Sequence, residues 1–320
     1  MRNATGMALA VWATACFGEA PVTGSGSGDG QSTSAGTTTS TDASTGGSEA
    51  SSAGSANTST SSDPSAGTTI ADSSGSSGDV DCEPALEGLV AWWPFENDAT
   101  DRVAGLTLDL LDVSFDEGRH GLAARFDGLS AIGTAPSNGA LEVAPGDFTV
   151  EAWVNLDDLV QPPEFGAPVD FAVVTKMLSS QGMPNADGWR LLMFAGDHRW
   201  WFCLGGDENG CNPGGNTANV ARSSSEAVAA TWIHVVGVRI GKGVRIYVDG
   251  VLEDDLQAVA PISSVNMETP LTIGGTAFTD GEGRSFALFG RVDEVSIYAR
   301  ALSDDEIAGL AQAARPRCGS

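Results

Sequence analysis

Carboxylates dominate the side chains that could do chemistry in this chain: 42 Asp and Glu stand against 16 Lys and Arg, 3 His and 5 Cys. Acid–base or nucleophilic catalysis needs a base within hydrogen-bond reach of its partner. His120, His198 and His234 lie far apart, and none accompanies a recognisable nucleophile motif. The cysteines include no Cys-x-x-Cys pair, which removes the ligand spacing of a structural zinc site. Aromatic rings are the remaining resource. A sugar site needs exposed rings for stacking plus a few fixed polar groups, and the candidates are Trp153, Trp189, Trp200 and Trp201. Adjacent side chains of a strand point to opposite faces, so one of Trp200 and Trp201 is expected to face outward, close to Cys203.

Setting Cys16 aside, Cys82, Cys203, Cys211 and Cys318 form an even set, which in an exported chain reads as disulfides. Four cysteines allow three pairings. The spacing favours Cys203 with Cys211 around the short loop Leu204 to Gly210, and Cys82 with Cys318 around the whole folded region. On a chain-entropy estimate the short closure adds about 2.5 kcal/mol and the long one about 5 kcal/mol.

The first quarter of the chain differs in composition from the rest. Residues 21–80 are almost entirely Ser, Gly, Thr and Ala with scattered acids, and such a segment cannot bury enough apolar surface to offset its ordering entropy. Residues 17–80 are therefore expected to be a disordered, flexible linker. Ahead of it, Met1-Arg2-Asn3 and the apolar stretch Met7 to Ala15 read as a short secretory signal, too short to span a membrane. The tetrapeptide Ala13-Thr14-Ala15-Cys16 resembles a bacterial lipoprotein cleavage site, with Ala13 standing where Leu is usual. That resemblance implies lipidation at Cys16, and a long tether gives an anchored domain reach. The expected location is outside the cell, anchored at its surface or secreted, with membrane contact only through the lipid.

The formal charge is −26. Seven of the 42 acids fall between Glu19 and Asp79, so 35 acids and 15 of the 16 basic residues, a net of −20, belong to the part from about Asp81 onward. Such a domain repels nucleic acid and anionic headgroups, and suits neutral sugars, cations or basic partners.

From Leu89 the chain runs in short apolar or alternating segments separated by Gly, Pro, Asn and Asp, the signature of strands joined by turns. Strands are expected over 89–95, 106–113, 124–127, 131–134, 148–155, 171–177, 189–194, 200–204, 232–240, 244–248, 271–273 and 292–298. Such a series predicts an all-β fold, two packed antiparallel sheets over residues 81–320. Within Phe148 to Asn155, alternation assigns Phe148, Val150, Ala152 and Val154 to the core and turns Glu151 and Trp153 the other way. One short C-terminal helix is signalled by Ser303-Asp304-Asp305-Glu306, a capping box, running to about Ala313 and packing through Ile307 and Leu310.

Six pieces in order carry a resemblance: Leu89 to Phe95 with Asp98 to Gly105; Arg125-Phe126-Asp127-Gly128; Phe148 to Val154; Trp232 to Val236; Ile246-Tyr247-Val248-Asp249-Gly250; and Gly290 to Tyr298 before the capped helix. Together they resemble the bacterial laminin-G-like jelly rolls of the concanavalin A-like lectin and glucanase superfamily. Several have physical jobs: Asp249-Gly250 is a turn dipeptide, and Trp232 and Val235 read as core.

The fold hosts hydrolases, lectins and adhesion modules, so function must come from a site. Glucanases of the superfamily carry Glu-x-Asp-x-x-Glu on one strand, because retaining hydrolysis needs two carboxyls about 5 Å apart. That spacing is missing here; the nearest start, Glu253-Asp254-Asp255, continues to Ala258 and follows a turn. A divergent glycoside hydrolase is thereby the weakest reading. The resemblance also implies a structural Ca²⁺, a hard cation held by carboxylates and carbonyls, with Asp293 in the last strand and Asp98 or Asp101 after the first as ligands. No other cofactor is implied. The expected role is a non-catalytic extracellular binding or adhesion module for a glycan or surface protein, with a carbohydrate-binding lectin-like module as the alternative.

Overall fold

The computed structural model describes residues 82–136, 138–143, 146–162, 170–178, 187–205, 219–257, 269–276, 286–314 and 316–318, all within the compact unit Ser73–Ser320. The signal, the linker, Cys16 and Cys211 lie outside the described residues. The strands are β1 (Leu89–Trp93), β2 (Asp109–Leu111), β3 (Ser114–Glu117), β4 (Leu122–Asp127), β5 (Ile132–Ala135), β6 (Phe148–Leu156), β7 (Phe171–Leu178) and β8 (Asp187–Phe194). They continue as β9 (Arg199–Leu204), β10 (Val220–Glu226), β11 (Ile233–Ile240), β12 (Gly243–Val248), β13 (Val251–Gln257), β14 (Leu271–Ile273) and β15 (Phe289–Tyr298), before helix α1 (Asp304–Gln312).

Two sheets form. The first runs β13-β12-β11-β6-β15-β4-β3, with β1 also on β15; the second runs β10-β9-β8-β7-β14-β5-β2. Every pairing between strands is antiparallel. Between the sheets lies one continuous core that takes Phe148, Val150, Ala152 and Val154 from β6, Trp189 and Leu191 from β8, and Trp200 and Phe202 from β9. The alternation of β6 therefore sorts its faces as its sequence requires. The outward face of β6 is covered too, since every one of its residues is buried.

The cover is α1 and the chain ends. Ser303 caps α1 in a full capping box with Glu306. Ile307 and Leu310 pack with Val236, Tyr247 and Tyr298 on the outer face of the first sheet. Tyr247 Oη donates to Asp304 Oδ1 at 2.7 Å, and Thr149 Oγ1 donates to Arg300 O at 2.9 Å, which fixes the helix start against the strands. Cys82 and Cys318 are joined by a disulfide. Beside it, Glu83 N donates to Pro316 O at 2.8 Å and Cys318 N to Glu83 O at 2.7 Å. Cys203 is disulfide-bonded as well, and its expected partner Cys211 is outside the described residues.

Three strands, β3, β10 and β13, form where the sequence reading expected none. All are edges of their sheets. Trp232 also differs from its reading as core: it is half-buried, with the Arg291 guanidinium 5.6 Å from its ring centre, whereas Val235 sits in the core. The Asp249-Gly250 turn forms between β12 and β13, both residues having positive φ (49° and 81°), which fits a two-residue type I′ hairpin.

Candidate binding cleft on the outer face of the first sheet

The last strand is interrupted where it changes partner. β15 pairs with β4 through Phe289–Val292 and with β1 through Val295–Tyr298, and its register on β6 shifts between Asp293 and Ser296. Glu294 takes a φ of 54° in this bulge. Bulges re-aim side chains by adding a residue to one strand. Val292 and Val295 both reach the core, so the two acids between them share the outer face, where strict alternation would have sent one inward.

Around that bulge a buried polar network assembles. Glu151 accepts from Tyr298 Oη at 3.0 Å and lies 2.9 Å from His234 Nε2, and it is ion-paired with Arg317. Arg317 also bonds Ser296 Oγ and sets its guanidinium 5.6 Å from the ring centre of Trp92. Trp92 Nε1 donates to Glu294 Oε2 at 2.7 Å. Asp293 Oδ2 accepts from Arg119 N at 2.8 Å and His120 N at 3.0 Å, while its Oδ1 accepts from Glu294 N at 2.8 Å.

Burial pushes Asp293 up to about 8, against the backbone donors that favour its charged form and with Glu294 as an additional raising neighbour. Burial likewise pushes Glu294 up to about 7, the Arg317 charge and the Trp92 hydrogen bond opposing it. Glu151 moves the other way: burial raises it, but Arg317 and His234 together leave its carboxyl below the ordinary value. Burial and the nearby Arg119 and Arg317 charges lower His120, favouring a neutral ring.

Between this network, α1 and the chain ends opens a cleft of about 610 Å³, within the size range of small-ligand sites. Its lining includes the buried Trp153, His120 and Glu294, the half-buried Leu310, and the exposed Glu83 and Asp305. Trp153 is the one member of the aromatic quartet that reaches it. The ring sits between His234 and Asp293 in the sheet register, stacked 5.0 Å from His234 and covered by the Arg119 guanidinium at 4.6 Å. Only 8% of Trp153 is exposed.

The other three tryptophans are elsewhere. Trp189 and Trp200 lie in the core. Trp201 points to the outer face of the second sheet, as expected from its neighbour, but is only 3% exposed. It is sealed by Phe194, with ring centres 4.3 Å apart, and by Met177, Leu192 and Val220. The outward direction was legible; the apolar patch that covers it was not.

The acids expected as calcium ligands close backbone groups. Asp101 accepts from Trp92 N at 2.7 Å, Val103 N at 2.9 Å and Ala104 N at 2.7 Å. Asp98 accepts from Thr100 N at 2.9 Å and Arg102 Nη2 at 2.8 Å. Among the described residues, no three of His, Cys, Asp or Glu gather as a metal-binding group. Glu253 and Asp254 are tied across the edges of the two sheets, Glu253 accepting from Ser225 N at 2.9 Å and Asp254 from Arg222 N at 2.9 Å, while Asp255 pairs with Arg245 of the adjacent strand at 3.1 Å. Among the described residues no helix is long and apolar enough to cross a membrane.

Two antiparallel sheets over a single core, closed by a capped C-terminal helix, define a lectin-like jelly-roll sandwich. The chain belongs to the Laminin_G_3 family of the concanavalin A-like lectin/glucanases superfamily, whose model matches residues 130–308. No curated protein matches it in sequence. Among solved structures it is similar to the binding domain of Paraclostridial Mosquitocidal Protein 1, at 16% identity and a TM-score of 0.53, over 70% of this chain and 52% of that one. It is also similar to the binding domain of botulinum neurotoxin DC in complex with rat synaptotagmin II, at 12% identity and a TM-score of 0.50, over 70% and 51%. A third likeness, at 13% identity and a TM-score of 0.50 over 70% and 50%, is to a structure described as botulinum neurotoxin type C, whose cell entry depends on two ganglioside molecules. This chain thus spans about half the length of each. Identities this low establish a shared fold.

Proposed function

We propose that the domain is a non-catalytic binding or adhesion module for a protein partner, held outside the cell by a lipid on Cys16 and a flexible tether. One observation carries the choice of a protein over a sugar. Among the described residues the exposed large apolar side chains are all aliphatic, Val251, Val228 and Leu111 foremost, and none is aromatic. A stacking platform for sugar rings needs an open aromatic face, and Trp153, under the Arg119 guanidinium and tilted against the His234 ring, is almost entirely buried. Support for a binding role comes from the fold relatives, two of which are named as binding domains, one of them with a protein bound. Support for the absence of catalysis comes from the carboxylates: Glu253 and Glu151 are both consumed by structural partners.

Carbohydrate binding is the second reading, favoured by the ganglioside dependence named for one fold relative and by the edge of Trp153 in the cleft. The two readings separate in one experiment. The full chain is applied to a glycan array and to a panel of immobilised extracellular proteins of graded charge, with calcium and with chelator. Saturable capture by basic proteins alone, unchanged by chelator, is expected. Saturable glycan binding lost in Trp153→Ala would overturn the protein reading and establish a lectin. Mass spectrometry of the membrane-extracted chain should find diacylglycerol on Cys16; an unmodified thiol there would refute the tether.

A further inference from the structure

Glu294, one of the residues lining the cleft, has a buried carboxylate oxygen that nothing satisfies. Glu294 is 3% exposed and lines the cleft; its Oε2 accepts from Trp92, and its Oε1 has no hydrogen-bond partner. A buried acceptor without a donor is costly, more so when charged, so a donor that reaches Oε1 recovers that cost.

The surrounding charges narrow the donor to a cation. Arg317 is committed to Glu151, and Glu306 is matched by Arg300 at 2.6 Å. Glu294 and the two exposed acids Glu83 and Asp305 remain, with the Arg119 guanidinium over Trp153 as a nearby cation. Pro84, Leu86, Leu310 and Ala313 supply apolar lining beside the polar His120 and Gln312. Exposed acids, apolar lining and a donor-seeking carboxylate are complementary to an alkyl stem ending in an ammonium group. The net charge of −20 on the domain attracts such a group from a distance.

We propose that this cleft receives a lysine side chain of the partner, its stem against Leu86 and Leu310 and its ammonium on Glu294 Oε1. This rests on the protein-binding reading and supplies its specificity: the partner is basic and presents lysine where it docks. An arginine would duplicate the guanidinium charge that Arg317 already places near Glu294.

The test is an NMR titration of the full chain at pH 8 with Nα-acetyl-lysine methylamide, the matching norleucine compound and the matching Nε-acetyllysine compound. The lysine compound should shift the Trp153 indole N–H and bind at least tenfold more tightly than either neutral one. Glu294→Gln should abolish that preference. Asp305→Asn, on an exposed helix position that cannot threaten the core, should weaken lysine binding about threefold. Equal binding of the three compounds, or binding of none, overturns the proposal. If the lysine preference fails while the chain still captures immobilised proteins saturably, the binding-module reading stands without it; if that capture fails too, both fall.

Discussion

Arg317 and Glu151 lie 166 residues apart in sequence and form a buried ion pair on the outer face of the first sheet, with side chains 8% and 1% exposed. Removing one partner of such a pair leaves an uncompensated charge that costs about 3 to 5 kcal/mol. Arg317→Ala is therefore expected to lower unfolding free energy by that amount in urea titration, and Arg317→Met with Glu151→Leu to restore much of it. A loss below about 1 kcal/mol for Arg317→Ala would mean that water reaches Glu151 and the tail is not latched.

The same tail is fastened by the disulfide one residue later. Cys82–Cys318 closes a loop with a sequence separation of 236, and on the chain-entropy model a closure of that length stabilises by about 5 kcal/mol. Cys82→Ser with Cys318→Ser should show a loss approaching that value. Because Arg317 is adjacent to Cys318, the two effects should not add: once the disulfide is gone, Arg317→Ala should cost less than in the intact protein. A double-mutant cycle measures the difference, and strict additivity would show that latch and disulfide act independently.

The interior of this fold was legible because central strands must be apolar. The alternation of β6 named its core residues, and the capping box named the start of α1 at Ser303. The missed strands were edges, where burial is partial and polar side chains protect against pairing with other chains. β10 reads Val-Ala-Arg-Ser-Ser-Ser-Glu and β13 reads Val-Leu-Glu-Asp-Asp-Leu-Gln, patterns that serve loops equally well. The cleft was illegible for a different reason. Alternation turns Glu151 away from the core, but an outward acid on a strand ordinarily meets water; here Arg317, distant in sequence and next to the disulfide-bonded Cys318, joins His234 and Tyr298 on its carboxylate. The bulge at Glu294 gives no local signal either, since no glycine marks its positive φ.

The raised carboxyls predict how stability depends on pH. Glu294 rises from an ordinary value of 4.5 to about 7, chiefly by burial, so between those values the folded protein binds more protons than the unfolded chain. Stability from this group is fully present below pH 4.5 and lost as pH climbs through 7, on the order of 3 kcal/mol. Asp293, pushed up to about 8, acts in the same direction. Glu151 and Glu306, whose values are lowered, act oppositely, and their contributions disappear as pH falls below about 4.5. The melting temperature should thus peak in mildly acidic solution, near pH 5, and Glu294→Gln should flatten the decline between pH 5 and 7. A maximum above pH 8 would show that Glu294 stays ionised in the fold.

Glu253 joins the edges of the two sheets. It accepts hydrogen bonds from Ser225 N at 2.9 Å and Ser225 Oγ at 2.8 Å, carrying β13 of the first sheet onto β10 of the second, beside the bond that the next residue, Asp254, accepts from Arg222 N. Hydrogen bonds to a charged acceptor contribute about 1.5 to 3 kcal/mol, less where water competes, and Glu253 is half-buried. Glu253→Ala should cost about 1 to 2 kcal/mol in urea titration and speed amide exchange along β10 more than in β6, since the edges open first. Were Glu253 instead a catalytic acid, the substitution would leave stability nearly unchanged and remove a polysaccharide-cleaving activity from the intact chain. Measuring stability and release of reducing sugar on the same pair of proteins decides between a seam and a site.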